Sequence, residues 1–499
     1  MKRIPLRSML SKCPQWIYFT LFMVICLAFT GVFAALTLHP QGIHFIRQTD
    51  SLSFASNYYH YGYSFFEPHV FNLSSTDGAA ACEFPILYYI TALIYKICGE
   101  HIAILRLLNL LILSIGLVAA FNMTKKTLSN AFISALLVGV SFSSTVLLYY
   151  ASNVLVDSAA LGFSLIGLAL FIVYHRTRQS KLLWSATLFF TLACLLKITF
   201  GIWPIALLLA TITSDKLSKK SLAVWPLLLS VSIAWLWFTW AKFYNAEHGD
   251  SYFLTSAIPL WQLTAEEYRQ FTTAISHYWI GAYYYEAIRW LLALAAIVVV
   301  WKHRLLNSFE KYALAISFAG ILCYVALFAR QFINHDYYFL PGFPFVILLM
   351  TAFFRILLSQ KKMWIAYATT TATAIALVGG LVYSRQKLES RFNTENDPYD
   401  DAAKSLRAAL NAHQLPRPQH NERVVVIGDP SKNGCLLELK CKGYVFAEKA
   451  AFIARLNTAD LDEVSIFYSN EVLTDSIAQN FHLSLVEATS EWWVYRFNR

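Results

Sequence analysis

The chain has 499 residues, 57% of them hydrophobic and 14% charged, with 40 lysines and arginines against 30 acids. That composition excludes an ordinary soluble globule and fits a membrane protein, since a hydrocarbon core needs about 20 apolar residues per helix. The net charge of +10 calls for no nucleic-acid partner. No nucleic-acid motif or basic, aromatic-interleaved surface accompanies it, and short loops at a membrane face account for much of the excess.

The first apolar run, Trp16–Leu38, follows Lys2, Arg3, Arg7 and Lys12. It is longer than the apolar core of a signal peptide, so it reads as an uncleaved anchor with the N-terminus inside. Ten further spans are expected near Ile102–Phe121, Asn130–Ala151, Val154–Tyr174, Leu182–Leu196, Phe200–Thr213, Leu222–Phe243, Glu286–Trp301, Tyr312–Ala329, Tyr338–Leu357 and Met363–Tyr383. The short run Pro85–Cys98 contains Lys96 and reads as a helix lying at the surface. With it left out of the count, every inside loop is basic, as the positive-inside rule requires. These loops carry Lys125/Lys126, His175/Arg176/Arg178/Lys181, Lys216/Lys219/Lys220, Lys302/Arg304/Lys311 and Arg355/Lys361/Lys362. The expected fold is thus an α-helical polytopic membrane protein of about eleven spans. Its membrane domain is 1–384, with a first outer loop at 39–101 and a second at 244–285.

The remaining residues, 385–499, read as a small outward-facing soluble α/β domain. Asp397-Pro398 marks a helix start after a charged linker. Val424–Ile427, Val464–Tyr468 and Trp492–Phe497 read as strands, and Asp401–Ala412, Lys449–Leu456 and Leu473–Phe481 as helices between them. No glycine-rich phosphate loop gives this domain a catalytic role. Cys435 and Cys441 lie here, six residues apart; an oxidising compartment would allow them to pair, but spacing does not decide it.

Charges at a membrane edge are costly, so their grouping on one face is informative. The topology gathers Arg47, Gln48, Asp50, Glu67 and Glu83 with Arg106, Asp157, Lys197, Arg330, His335, Asp336, Tyr337 and Tyr338 at the outer face. Plainer readings stand beside several of them. Arg106 reads equally as a snorkelling cation, Asp157 as an acid favoured by its helix N-terminus, Lys197 as its structural partner, and the tyrosines as interfacial belt. Asp50 and Glu83 are harder to explain structurally. His277, in the second outer loop after the capping box Thr264-Ala265-Glu266-Glu267, could join Glu83 as a zinc ligand, though a lone histidine is more often structural.

These residues carry a resemblance. Arg47-Gln48-Thr49-Asp50, Glu83-Phe84-Pro85, Gly99 with Arg106, Asp157, Leu195-Leu196-Lys197 and Tyr337-Tyr338-Phe339-Leu340-Pro341 together resemble GT-C glycosyltransferases. The likeness is to the branch holding protein O-mannosyltransferases and the lipid A aminoarabinose transferase. It covers about Ile43–Leu357 in order and spacing, and the tail only loosely. The resemblance implies transfer of a hexosyl or pentosyl group from a polyprenyl-phosphate-linked donor to a glycolipid, glycan or protein acceptor at the outer face; a bacterial inner membrane, with the tail in the periplasm, is the expected location. It implies Asp50 as base and Glu83 as acceptor-binding or metal-binding acid. The physics agrees, since an inverting transfer needs a carboxylate beside the attacking oxygen. Lys197, Arg330, Tyr338 and, in reserve, Arg106 are then candidates for the leaving phosphate, with Arg47, Asp157, His335 and Tyr337 supporting. No cofactor is required, but a divalent zinc, magnesium or manganese ion is compatible. The chain departs from the pattern at Cys82-Glu83-Phe84, which lacks a lysine after the acid, and at Thr49-Asp50-Ser51, which lacks an Asp-Glu pair. An O-antigen ligase or polymerase is the main alternative and a lipid-linked-sugar flippase a lesser one. The large outer loop 244–285 is aromatic and has only Arg269 before Arg289, which argues against the first, and the charges avoid the bilayer midplane that the second would use.

Overall fold

Apolar runs bounded by Asn, Pro and Gly become helices over most of the chain. In this computed structural model, residues 14–73, 76–215, 224–249, 252–253, 257–392, 399–455, 464–473, 478–479 and 482–497 are described. Among them, six helices are long and apolar enough to cross a membrane: Ala103–Leu128, Asp157–Thr177, Pro226–Glu247, Ser308–Leu327, Asp336–Leu358 and Met363–Phe392. Two bent pairs could add one span each, Ala131–Phe142 with Thr145–Ala151 at 82° and Ala265–Tyr283 with Glu286–Trp301 at 100°. The other three expected spans are shorter apolar helices, Gln15–Phe29, Ser180–Leu196 and Ile198–Ser214. The polytopic helical architecture therefore stands; by length and composition alone, six to eight of the eleven expected spans qualify among the described residues.

Contacts divide the chain into two compact units. The first comprises Met1–Leu36, Arg106–Trp237 and Ser256–Glu389. Its helices Ala103–Leu128 and Asp157–Thr177 meet backbone to backbone at two glycines. A methyl group on Gly116 would lie 2.5 Å from the Gly162 carbonyl oxygen, and one on Gly162 would lie 2.5 Å from that of Ile112. Lipid tails are as apolar as leucine, so membrane helices associate through such close packing of small residues.

The second unit comprises Thr37–Leu105, Phe238–Thr255 and Ser390–Arg499. Its sheet contains β1 (Arg423–Ile427), β2 (Gly443–Phe446), β3 (Val464–Ser469), β4 (Leu483–Ala488) and β5 (Trp493–Phe497), in the order β2-β1-β3-β5-β4. The first three are mutually parallel, and β5 runs antiparallel to both β3 and β4. β1 is apolar without alternation because both of its faces are covered. Val424 and Val426 pack with Leu406, Leu436 and Trp492, whereas Val425 and Ile427 pack with Phe452, Phe467 and Tyr495. The sequence reading of this tail lacked β2, β4 and the short helix Gly434–Leu439. Most of the expected helix Leu473–Phe481 lies outside the described residues. The outer-loop segment at Phe71–Leu73 pairs along β2, where Gly443 donates to the Phe71 carbonyl at 2.9 Å and accepts from Leu73 at 2.8 Å. Cys435 and Cys441 are both free and buried.

Pro85 and Gly99 bound the helix Ile86–Cys98. Leu87, Tyr88, Thr91, Ala92 and Tyr95 face inward at helical spacing, while Ile90, Leu93 and Ile97 are exposed.

Replacing Gly162 with leucine should force the two glycine-bearing helices apart, at a cost of about 1–3 kcal/mol or more. The expected outcome is a lower Tm and a reduced yield of monodisperse protein in detergent. Unchanged values would show that this crossing is not a tight one.

Candidate functional site

The helix Phe45–His60 is buried on all sides from Gln48 to Tyr58, polar residues included. Gln48, Thr49, Asp50, Ser51, Ser53, Ser56 and Asn57 are all buried. Most of these side chains are spent locally. Thr49 and Ser51 bond to the carbonyls of Ile46 and Arg47, at 2.8 and 2.9 Å, and Gln48 donates to those of Gln41 and Ile43. Asp50 is left to be served from elsewhere in the chain. Its Oδ1 accepts from the Tyr252 hydroxyl at 2.8 Å and more weakly from the Asn433 amide at 3.4 Å. Its Oδ2 accepts no hydrogen bond from the described residues, and the Arg47 guanidinium lies 3.9 Å away. Desolvation dominates and pushes the Asp50 pKa up to about 6, against the opposing pull of Arg47, Tyr252 and Asn433.

Arg47 is committed mainly to Glu83. One nitrogen, Nη2, reaches both carboxylate oxygens, at 2.6 and 2.9 Å. The Tyr88 hydroxyl also donates to Glu83 and lies 3.2 Å from Ser51 Oγ. The Phe253 ring covers the guanidinium at 5.3 Å. The second unit thus holds two buried carboxylates with one arginine between them, and the hydrogen-bonded Glu83 takes the larger share of the cation.

Asn433 follows β1, in a turn fixed by Asp429. The Asp429 carboxylate accepts from the backbone amides of Ser431 and Cys435, at 2.7 and 2.8 Å. The C-terminal domain therefore contributes directly to the environment of Asp50, contrary to the sequence reading. Lys432, beside it, lies over the Tyr252 ring at 5.3 Å.

The first unit holds a second polar group. Lys197 closes the Ser180–Leu196 helix, and its Nζ lies 3.0 Å from Asp157 Oδ1. It also sits over the rings of Tyr337 and Tyr338, at 4.7 and 4.8 Å from their centroids. Asp157 is the first residue of its helix, where a negative charge is favoured. The turn bearing the tyrosines is held by several hydroxyls. Tyr283 donates to the Asp336 carbonyl at 2.6 Å, Tyr324 to the Tyr338 carbonyl at 2.7 Å, and Tyr150 to Asp336 Oδ1 at 2.6 Å. His335 stacks on Tyr338 at 5.8 Å. Asp157 and the two rings thus orient the Lys197 ammonium.

The remaining candidates are placed differently. Arg330 is half exposed and pairs with Glu267 at 3.1 Å. Arg106 is fully buried and donates to the carbonyls of Ala35 and Ser152, at 3.1 and 2.7 Å. Its charge ties backbone segments together. The His277 Nδ1 lies 2.7 Å from Ser276 Oγ. Among the described residues, no three His, Cys, Asp or Glu side chains gather as metal ligands. Glu83 is already engaged by a guanidinium and a phenol, and that setting does not fit a metal ligand. We derive no step through a metal.

Sequence reasoning missed Tyr88, Tyr252, Asn433, Tyr150, Tyr283 and Tyr324. Tyr88 stood in the run Glu83-Phe84-Pro85-Ile86-Leu87-Tyr88-Tyr89 that carries the resemblance, without a role of its own; Tyr252 and Tyr283 lay in the second outer loop, which is rich in tyrosine and tryptophan, and Tyr150, Tyr324 and Asn433 carried no signal.

No family model and no curated protein matches the chain. Solved structures do resemble it. ArnT from Cupriavidus metallidurans, in its undecaprenyl-phosphate-bound form, gives a TM-score of 0.61 at 11% identity over 96% of this chain and 97% of that one. The apo form of the same enzyme gives the same values. The apo Archaeoglobus fulgidus oligosaccharyltransferase gives 0.50 at 11% identity, over 91% of this chain and 69% of that one. The likeness is one of fold: the chain shares the fold of these two enzymes.

Arg47→Gln should leave the Glu83 carboxylate buried without its cation, lowering stability by about 1–3 kcal/mol. The double change Arg47→Gln/Glu83→Gln should recover much of that loss, read as Tm in detergent. An equal or greater loss in the double variant would contradict the pairing.

Proposed function

We propose that this protein is a membrane glycosyltransferase that moves a sugar from a polyprenyl-phosphate carrier to an acceptor hydroxyl or phosphate, with inversion and with Asp50 as base. The observation that carries the reading is the state of Asp50. Its carboxylate is buried, one oxygen is oriented by Tyr252 and Asn433, the other accepts no described hydrogen bond, and its pKa is raised toward neutrality. A base works best when its pKa lies near the working pH. A structural carboxylate would instead be fully bonded, as Glu83 is.

In the proposed step, the acceptor oxygen attacks the anomeric carbon as its proton passes to Asp50 Oδ2. The bond from that carbon to the phosphate oxygen breaks, and polyprenyl phosphate leaves with the electron pair. The leaving phosphate gains charge and needs an oriented cation. Lys197 suits that role, because Asp157 and two aromatic faces orient its ammonium. Tyr337, Tyr338 and His335 position it. Glu83 and Arg47 bind the acceptor or orient Asp50, and Arg330 is a secondary candidate for the phosphate. Arg106 takes no part. Support for the carrier comes from the similarity in fold to an enzyme solved with undecaprenyl phosphate. The basic loops support an outer-face reaction and an outward-facing C-terminal domain in a bacterial inner membrane.

Asp50→Asn should reduce transfer by about 10²–10⁴-fold and cause cells to accumulate a polyprenyl-phosphate sugar. At pH 8 its Tm should match or exceed that of the wild type, because the neutral amide avoids the desolvation of a buried charge. Retained transfer by folded protein would move the base elsewhere.

The active form of Asp50 is ionised, so kcat/KM should rise with pH through about 6 and then level off. Tyr252→Phe removes a donor that favours the ionised form and should shift this limb upward. A limb near 4, or one unmoved by Tyr252→Phe, would dissociate Asp50 from the rate.

A further inference from the structure

One cleft in the first unit lies outside the groups described so far. Four helices line it, each near one end. Ala103–Leu128 contributes Met123 and Thr127, and Asp157–Thr177 contributes Ile172, His175 and Arg176. Ser308–Leu327 and its cap contribute Asn307, Glu310 and Leu314, and Phe343–Leu358 contributes Leu348, Ala352 and Arg355. The cleft is a shallow groove open at its mouth, with an enclosed volume of about 100 Å³.

The lining changes character in the same direction on all four helices. Arg355 is followed inward by Ala352 and Leu348, Arg176 by Ile172, Glu310 by Leu314, and Thr127 by Met123. These steps are three, four or seven residues, which is helical spacing along one stripe. The cleft is therefore polar at its mouth and apolar one to two turns deeper.

The charges at the mouth do not cancel. The Glu310 carboxylate is committed to Arg355 and to the Asn307 backbone amide. Arg176 has no acidic partner among the described residues, and its Nη2 donates to Thr127 Oγ1 at 2.8 Å. His175 stacks on Phe309 at 3.9 Å, and its buried Nε2 has no hydrogen-bond partner among the described residues. The mouth thus keeps an uncompensated guanidinium and an unused ring nitrogen above an apolar slot.

We propose that this cleft binds one anionic membrane phospholipid. Its phosphate would sit at Arg176, Arg355 and His175, and one acyl chain would lie against Ile172, Leu314 and Leu348. Basic pockets between membrane helices recognise lipid headgroups in this way, and the graded lining supplies the matching place for the tail. The site is separate from Asp50 and Lys197 and does not depend on the transferase reading.

The test uses the full-length protein in phosphatidylcholine nanodiscs, with or without phosphatidylglycerol. Native mass spectrometry should show one phosphatidylglycerol retained by the wild type, together with a rise in Tm of about 2–4 °C. Arg176→Gln should lose both signals, as should Arg355→Gln/Glu310→Gln, which removes the ion pair without leaving a lone charge. Arg269→Gln, an exposed arginine elsewhere in the unit, should keep them. Retention equal in the Arg176→Gln variant, or equal for phosphatidylcholine, would overturn the proposal. So would the same Tm rise with glycerol 3-phosphate alone, since that would assign the site to a free phosphate.

Discussion

Keeping one carboxylate charged in a dry setting is the constraint around which the second unit is arranged. Asp50 is almost fully buried, and burial of a lone charge is costly enough that proteins either pair it or neutralise it. Here the pairing is deliberately incomplete. Arg47 is near enough to moderate the cost, but its hydrogen bonds go to Glu83. The rise from the ordinary value to about 6 corresponds to about 3 kcal/mol of preference for the protonated form. The carboxylate is thus held closer to neutrality than an exposed aspartate would be.

That constraint explains why distant parts of the chain meet in this unit. A helix turn can supply Asp50 and Arg47 three residues apart, but it cannot supply a phenol and an amide to the far oxygen. Tyr252 and Asn433 come from segments about 200 and 380 residues away in sequence. The tail holds Asn433 in place by conventional means: a parallel strand buried on both faces ends in a turn whose backbone amides are satisfied by Asp429. A domain with no phosphate loop of its own thus still reaches the Asp50 carboxylate with one side chain.

The legible parts of the sequence were those in which a single segment carries its own physical signature. Apolar runs of sufficient length announced helices, Thr264 with Glu267 announced a capping box that the structure contains, and β1 announced itself as a continuous run of valines. Charges at the edges of apolar runs drew attention to Asp50, Glu83, Asp157 and Lys197. The span count was less legible, because apolar content alone does not fix helix length. Ser180–Leu196 ends where Lys197 takes an extended backbone, and the run 131–151 bends by 82°. Also illegible was anything that depends on partners remote in sequence. Arg106 illustrates this well: its sequence context suggests a cation near phosphate, and only the fold shows its guanidinium holding carbonyls.

The two acid–base pairs divide the electrostatic work in opposite ways. Between Arg47 and Glu83 the contact is close and the charges largely satisfy each other, so the pair's influence on its surroundings is modest and its role is to shape the setting of Asp50. Lys197 is held by Asp157 from one side and by two π faces from the other, and an aromatic face attracts a cation without neutralising it. Its ammonium therefore keeps a fixed direction while retaining charge for an incoming anion. A transfer from a lipid phosphate needs both a base whose proton affinity is tuned by desolvation and a cation oriented before the anion forms.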